Sequence, residues 1–480
     1  MTDQTLKEKT AKGLFWGGMN NGVQQLLGLA FGILFGRLLS PHDYGMMAMI
    51  SIFTLVATAL QDSGFRAAIA NLKEATDRDY NSVFWFNIAA GIILYVILYA
   101  CAPLIADYYH TPELSALSRV AFMCILFSCL GTAQSAYLFR NLMAKQQAKA
   151  GMVAVVCSNV IGIFLAWRGF AYWALAIQSL IYVAINTMLL WYYSPWRPSL
   201  RWDAGPIRQM FSFGYKLLLT TILERVNNNV LNILLGRFFT PHEVGNYNQA
   251  YQWDFKGFNF VQNMVGQIAQ PVLASLKDER ERQLRILRKI MRFTAFVSFP
   301  LMFGLSLISK EFIVLAITEK WLASAELLQL LCISGAFIPL SFVLSNLIIS
   351  RGKSGTYLCC TLALCIALIV LMLLLYPYGI RTMVIAYVCL YIGWLFVWHQ
   401  LVNRLTGYSL GMLLHDILPY LVLAAMVMVA TYYITCPIGN MVVLLIARIA
   451  LGVVLYCLIM VLKRDEMWQE SLEFIRKRRK

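Results

Sequence analysis

The sequence predicts an all-α integral membrane protein with fourteen transmembrane helices, arranged as two repeated six-helix lobes followed by a final helix pair. Three observations lead to this prediction: the apolar composition, the spacing of the apolar segments and an internal repeat. Of the 480 residues, 60% are hydrophobic and 13% are charged, whereas roughly a quarter are charged in an average soluble domain. With a mean hydropathy of +0.65, the chain carries more apolar surface than one soluble core buries.

Apolar segments of about 20 residues, enough to cross a hydrocarbon layer about 30 Å thick, recur along the whole chain. They lie near residues 14–36, 44–65, 83–106, 116–139, 149–167, 171–193, 210–235, 244–272, 293–316, 325–349, 355–377, 380–403, 413–434 and 440–462. We expect an amino-terminal lobe over residues 1–200 and a second lobe over residues 201–404. The last two helices and a basic tail occupy residues 405–480.

An internal repeat relates the two predicted lobes. Residues 34–45 read LFGRLLSPHDYG and residues 234–245 read LLGRFFTPHEVG, so six of twelve positions are identical at an offset of 200. Each copy ends one apolar segment and begins the next, which indicates that a whole membrane-embedded unit was duplicated. Such duplicated units are typical of transporters.

The basic residues predict the orientation, because Lys and Arg accumulate in cytoplasmic loops. With the amino terminus inside, 29 of the 40 Lys and Arg residues fall in cytoplasmic segments and 6 on the opposite side. Both termini are therefore expected in the cytoplasm. We expect the net charge of +16 and the RKRRK tail to contact membrane lipid headgroups and not nucleic acid. The basic stretch from Arg285 to Arg292 is expected to form a separate helix on the membrane surface.

Other motifs argue against an enzyme or a metal protein. The eleven cysteines form no CxxC pair and no metal-type Cys/His spacing, and no catalytic dyad or nucleophile motif is present. We therefore expect no metal ion, no cofactor and no catalytic residue. On the first helix, the small-residue series Gly28, Gly32 and Gly36 predicts close backbone packing against a neighbouring helix.

The eighth apolar segment carries a polar stripe. Steps of three and four residues place its members within one 100° sector of a helix. They are Asn248, Gln252, Lys256, Asn259, Asn263, Gln267 and Gln270. The stripe predicts the lining of a water-filled cavity, since polar groups facing lipid are unfavourable. The alternative is a set of buried hydrogen bonds between helices.

Two further segments carry polar and charged candidates. The seventh segment contains Lys216, Glu224, Arg225, Asn228, Asn229 and Asn232, and the first contains Asn21, Gln24 and Gln25. At the repeat offset, Gln24 and Gln25 occupy the positions of Glu224 and Arg225, so only the second lobe offers charges there. An alternative interpretation is a local ion pair of Glu224 with Lys256 or Arg225.

Several stretches also resemble a known family, the polysaccharide-exporting flippases of the colanic acid and O-antigen type. This Wzx-like family belongs to the multidrug/oligosaccharidyl-lipid/polysaccharide superfamily. The resemblance extends over about residues 10–360. It rests on GRLLSPHDYGMMAMI (36–50), QDSGFRAAI (61–69), VFWFN (83–87), PLIADYYHTPEL (103–114), GRFFTPHEVGNYNQAYQ (236–252) and TEKWLASAELLQLLCISG (318–335).

The resemblance implies two six-helix lobes around a central cavity in the bacterial cytoplasmic membrane, working by alternating access. The implied substrate is an undecaprenyl-diphosphate-linked oligosaccharide, with polysaccharide polymerases and glycosyltransferases as neighbours. For such a substrate, Lys256 and Arg225 are expected to bind the diphosphate, with Lys216 and Arg448 as further candidates. The Asn and Gln side chains would bind sugar hydroxyls, and Glu224 would couple transport to a proton or sodium ion.

Two rival classes are weighed against this interpretation. A cation-coupled multidrug exporter of the same superfamily would share the first twelve helices, but its cavity is expected to be richer in aromatic and acidic groups than in amides. A polysaccharide polymerase or glycosyltransferase would need a large loop outside the membrane. The longest outer loop predicted here is short, spanning about residues 309–324.

Overall fold

The structure is a computed structural model that describes residues 22–62, 65, 68–69, 72, 75–200, 203–465 and 467–470. All regular secondary structure in these ranges is helical. The first eight helices are α1 (Gly22–Leu38), α2 (Pro41–Asp62), α3 (Asp77–Tyr108), α4 (Glu113–Cys129), α5 (Thr132–Arg140), α6 (Ala144–Trp167), α7 (Tyr172–Tyr193) and α8 (Ala204–Phe238). The others are α9 (Pro241–Ser275), α10 (Arg280–Ile317), α11 (Leu322–Ser350), α12 (Ser354–Leu375), α13 (Ile380–Thr406), α14 (Leu410–Thr435) and α15 (Met441–Leu462).

The apolar helices make the chain a multi-pass membrane protein. Ten helices of the described residues are long and apolar enough to cross a membrane, or eleven if α4 and α5, bent by 44°, form one span. Three helices fall short of that test. The described part of α1 is short, and α8 and α9 contain the polar residues noted above. The count of fourteen spans therefore stays a prediction, although every predicted apolar segment overlaps a helix.

In both copies of the internal repeat, the same residue pattern begins a helix. In the first copy, the Ser40 hydroxyl and backbone N–H donate to the Asp43 carboxylate at 2.6 and 2.8 Å, and α2 begins at the next residue, a proline. In the second copy, Thr240 donates to Glu243 in the same way at 2.9 and 3.0 Å. A Ser or Thr cap, an acid three residues later and proline at the first helical position are strong helix-starting residues. The residues shared by the two copies of the repeat thus specify where α2 and α9 begin.

The described residues form two compact units, one ending at Gly245 and the other beginning at Asn246. In the first unit α6 packs on α7, α3 packs on α4, and α8 packs on α2 and α3. By these contacts α8 belongs to the first unit, although the repeat assigns it to the second lobe. In the second unit α11 packs against α10, α12 and α13, while α14 and α15 pack on α10. The lobe boundaries near residues 200 and 404 follow the repeat and stay a prediction.

The connector before α8 is attached to the start of α3. Asn81 Nδ2 donates to Ser199 Oγ at 2.8 Å, and the Ser199 N–H donates back to Asn81 Oδ1 at 2.7 Å. Asp203, the residue before α8, accepts from the Gly205 N–H at 2.8 Å and pairs with Arg78. The Gly205 hydrogen bond, followed by that from Arg78, lowers the pKa of the Asp203 carboxyl.

Of two packing predictions, the one for the basic stretch is wrong, and the one for the glycine series fails at two of its three members. The basic stretch does not form a separate surface helix, because it is the first part of the continuous helix α10. There Arg288 and Arg292 donate to Asp416 of α14 at 2.9 and 2.7 Å, so the stretch joins two helices. At Gly28 and Gly32, no atom lies within 4 Å of where a Cβ would stand, so these glycines do not mark a close helix contact among the described residues.

Candidate functional site

The polar stripe of α9 is accessible along its length. Gln252, Asn263, Gln267 and Gln270 are exposed, and Asn248, Lys256 and Asn259 are partly exposed. The opposite face of the same helix, about 140–220° around the axis from Lys256 at 100° per residue, packs into the second unit. It consists of Tyr247, Asp254, Phe258, Val261, Val265 and Ala269, all buried. The stripe is therefore the side of α9 that the second unit leaves uncovered.

The amides of the stripe are not used for interhelical hydrogen bonding. No side-chain hydrogen bond within the described ranges involves them, whereas Gln61, a buried amide of the first unit, donates across helices. Gln61 Nε2, for example, donates to Thr132 Oγ1 at 3.0 Å and to Asn87 Oδ1 at 3.3 Å. Of the two interpretations of the α9 stripe, the geometry favours a surface open to water or to a polar ligand.

Lys256 lies in the middle of the stripe. Its ammonium nitrogen is 4.3 Å from the centre of the Trp253 ring, in a cation–π contact on the same helix. Lys256 forms no ion pair among the described residues. The indole holds the ammonium in place without neutralising its charge. The side chain is therefore available to bind an anion.

The α8 candidates divide into exposed and buried groups. Glu224, Arg225 and Asn228 are exposed, and Asn229 Nδ2 donates to the Arg225 backbone oxygen at 2.9 Å. Asn232 is buried, and its Oδ1 accepts no hydrogen bond from the described residues. The exposed middle part of α8 thus offers a guanidinium and amides for binding, whereas Asn232 is enclosed by protein. The ion-coupling role of Glu224 stays a prediction.

Arg448 belongs to a buried ion pair. Its Nη1 lies 2.8 Å from Glu311 Oε2 of α10, and both side chains are less than 10% exposed. Glu311 Oε2 accepts no hydrogen bond from the described residues, and Arg448 Nη1 donates to the Leu307 backbone oxygen at 3.1 Å. The Tyr432 ring lies beside the guanidinium. Because its charge is already balanced inside the second unit, Arg448 is not placed as a ligand-binding residue.

The remaining candidates are Asn21, Gln24, Gln25 and Lys216, of which the structure describes only the two glutamine side chains. Asn21 lies outside the described residues, and so does the side chain of Lys216. Gln25 is exposed on α1, while the Gln24 amide lies against Gly151 of α6. Gln24 therefore serves helix packing in the first unit, and Gln25 is the accessible member of that pair. No cluster of metal-ligating side chains occurs in the described ranges.

Sequence reasoning missed one buried acid on α9. Asp254 is fully buried on the face opposite the amide stripe, and neither of its carboxylate oxygens accepts a hydrogen bond from the described residues. The stripe is recognisable in the sequence because its members repeat at helical spacing, whereas Asp254 is a single acid among aromatic residues. An ionisable residue inside an apolar segment was the available indication.

Comparison with known proteins gives a family match and several relatives. The family model described as polysaccharide biosynthesis protein matches residues 34–326. The teichuronic acid biosynthesis protein TuaB of Bacillus subtilis is 26% identical over 355 residues, covering 73% of each chain. The lipopolysaccharide biosynthesis protein WzxC of Escherichia coli is 25% identical over 73% of this chain and 71% of its own. The succinoglycan biosynthesis transport protein ExoT of Rhizobium meliloti is 22% identical, over 64% and 63%.

Solved structures show a similar fold. The lipid II flippase MurJ in an inward closed conformation aligns with a TM-score of 0.76, covering 94% of this chain and 99% of MurJ at 15% identity. An inward-facing multidrug resistance transporter of the MATE family and the MOP superfamily aligns with a TM-score of 0.64, over 80% and 96%, also at 15% identity. The described helices therefore have the fold of this transporter group.

Proposed function

Since the chain belongs to the polysaccharide biosynthesis protein family, we propose that it is a flippase that carries a lipid-linked oligosaccharide across the bacterial cytoplasmic membrane. The family match agrees with the resemblance seen in the sequence, and the MurJ-like and MATE-like fold is that of multi-pass transporters. The named relatives act in the biosynthesis of surface polysaccharides, and ExoT is named as a transport protein. These points support a transporter for polysaccharide biosynthesis.

The proposed substrate is an oligosaccharide on undecaprenyl diphosphate, moved by alternating access. The observation that supports it best is the accessible stripe on α9, where amides surround one unpaired lysine. Amide side chains facing hydrocarbon would be unfavourable, so this face requires water or a polar ligand. An oligosaccharide supplies many hydroxyl groups for Asn and Gln to bind. Its polyprenyl chain can stay in the lipid.

The diphosphate needs cations, and two exposed or partly exposed candidates remain. Lys256 is held by Trp253 without an acidic partner, and Arg225 is exposed on α8. Hydrogen bonds from charged donors to phosphate are roughly twice as strong as neutral ones. We propose each of the two as a diphosphate contact, to be tested separately. Arg448 is left out because Glu311 balances its charge.

The proposed orientation places both termini in the cytoplasm. It rests on the excess of Lys and Arg in the loops assigned to that side. Substrate would then be loaded from the cytoplasmic leaflet, where membrane-bound glycosyltransferases would assemble it. A polymerase would use the product on the opposite side.

Deletion of the gene in its host tests the function directly. We expect surface polysaccharide to disappear and lipid-linked repeat units to accumulate in the cytoplasmic leaflet, because assembly continues while translocation stops. A plasmid carrying the wild-type gene should restore display. Normal surface polysaccharide in a strain without a second flippase would contradict the proposal. Increased drug sensitivity with unchanged polysaccharide would favour the multidrug exporter.

A further inference from the structure

Asp254 is a buried acid that the substrate-binding proposal does not use. It lies on α9, on the face packed into the second unit, and is 0% exposed. Both carboxylate oxygens lack a hydrogen-bond partner among the described residues. An ionised carboxylate without a partner costs several kcal/mol inside a protein, even after relaxation. In the packing seen here, the side chain is therefore stable only in its neutral, protonated form.

Among the described residues, the surroundings of Asp254 contain weak donors and no cation that acts on it. One carboxylate oxygen occupies the space where a Cβ on Gly335 would stand, and the Met302 methyl group lies against the same glycine. The thiol of Cys332, one turn before Gly335 on α11, faces the carboxyl. The other titratable groups that act on this region are phenols. They are Tyr247 and Tyr251 of α9 and Tyr387 and Tyr391 of α13.

Lys256 does not neutralise Asp254. The two residues are two positions apart on one helix, so their side chains point about 200° apart. The ammonium of Lys256 instead lies over the Trp253 ring. A single helix thus presents a cation on the face open to ligand and an unpaired acid on the face that packs against α10 and α11.

We propose that Asp254 is a proton-binding site that links protonation to the seating of α9 against α11. With a proton bound, the neutral side chain fits against Gly335 and the helices stay packed. Loss of the proton creates a charge that needs water, and water reaches it only if α9 moves away from α11. Protonation and helix position are therefore thermodynamically linked. The coupling role of this site rests on the proposed transport function, but proton binding does not.

The ligand is a proton and not a metal ion. Hard metal cations take several oxygen ligands. Beside the Asp254 carboxyl lie Gly335 and the thiol of Cys332, and neither supplies an oxygen side chain. No cluster of metal-ligating side chains occurs in the described ranges. One carboxyl group with a weak thiol donor is sufficient for a proton.

Infrared spectroscopy of the purified protein in lipid tests proton binding without any substrate. We expect a carbonyl band of a buried protonated carboxyl group that disappears as the pH rises and is lost in Asp254→Asn. The matched control is Glu224→Gln, the same chemical change on an exposed acid, and it should keep the band. Cys332→Ser offers a stronger donor to the carboxylate, so its band should disappear at a lower pH.

Two outcomes would overturn the proposal. Absence of a band that depends on Asp254 would show that the carboxyl is ionised, and a band unchanged over the whole pH range would show a purely structural acid. Cys332→Ser keeps the test decisive if Asp254→Asn does not fold. In cells, Asp254→Asn should lose the dependence of glycan translocation on the proton gradient. If translocation is absent in the wild type but the band titrates, the transport function fails and the proton site stands.

Discussion

Gly45 and Gly245, which are equivalent positions of the internal repeat, contact each other through their backbones. A Cβ atom on Gly245 would stand 2.9 Å from the amide nitrogen of Gly45 and would overlap the Pro41 carbonyl oxygen. A Cβ on Gly45 would likewise overlap the carbonyl oxygen of Pro241. The first turns of α2 and α9 therefore cross at these two glycines. Each copy of the repeat supplies one of the small residues that this close contact requires.

We predict that Gly45→Ala and Gly245→Ala each destabilise the protein by about 1–3 kcal/mol, the usual effect of overpacking. The added methyl group meets backbone atoms, which cannot move aside as a flexible side chain can. The melting temperature of the purified protein in detergent measures the effect. Gly32→Ala is the control, because its Cβ would meet no atom within 4 Å. Alanine there should be neutral or stabilise the helix by up to about 1 kcal/mol.

Removing the charge of either proposed diphosphate contact should weaken transport. Lys256→Gln and Arg225→Gln keep a hydrogen-bonding group but lose a charged hydrogen bond of about 1.5–3 kcal/mol, which corresponds to roughly 10-fold to 150-fold in affinity. Restoration of surface polysaccharide in the deletion strain, at equal protein level, measures the loss. Lys353→Gln, in an exposed loop before α12, serves as the control. Full activity of Lys256→Gln would remove that residue from the site.

The orientation can be tested by thiol labelling in a background without the eleven native cysteines, three of which are exposed. Cysteines introduced as His110→Cys and Glu319→Cys, both at exposed positions, should react with a membrane-impermeant reagent in intact cells. Arg285→Cys and Lys353→Cys, also exposed, should react only after permeabilisation. The reason is the distribution of basic residues between the two sides. Labelling of Arg285→Cys in intact cells would reverse the predicted topology.

The ion pair between Arg448 and Glu311 should act on stability and not on substrate binding. Glu311→Gln leaves a buried guanidinium without its counter-charge, so we expect a loss of about 3–5 kcal/mol. The double variant Glu311→Leu with Arg448→Met should lose less stability than the sum of the losses in Glu311→Leu alone and Arg448→Met alone. A double-mutant cycle of melting temperatures measures this coupling. If Arg448→Met instead abolished transport in a stable protein, Arg448 would return to the candidate binding residues.

The residues that repeat at regular spacing were predictable from the sequence. Apolar segments of membrane length predicted helices in order, and the steps from Asn248 to Gln270 predicted the accessible face of α9. The family resemblance was likewise visible in consecutive residues. These features are local, because a helix turns by a constant 100° per residue and so converts sequence spacing directly into a face.

Only the tertiary structure decided how single polar residues are used. Arg448 was a candidate for binding phosphate until its contact with Glu311, 137 residues away in the chain, showed its charge to be balanced. Asn232 shares a face of α8 with the exposed Arg225 but is itself buried, and Asp254 is buried against Gly335. Spacing along one helix determines which way a side chain points. What it meets there depends on the packing of helices that are distant in sequence, and so only the fold separates a binding residue from a buried one.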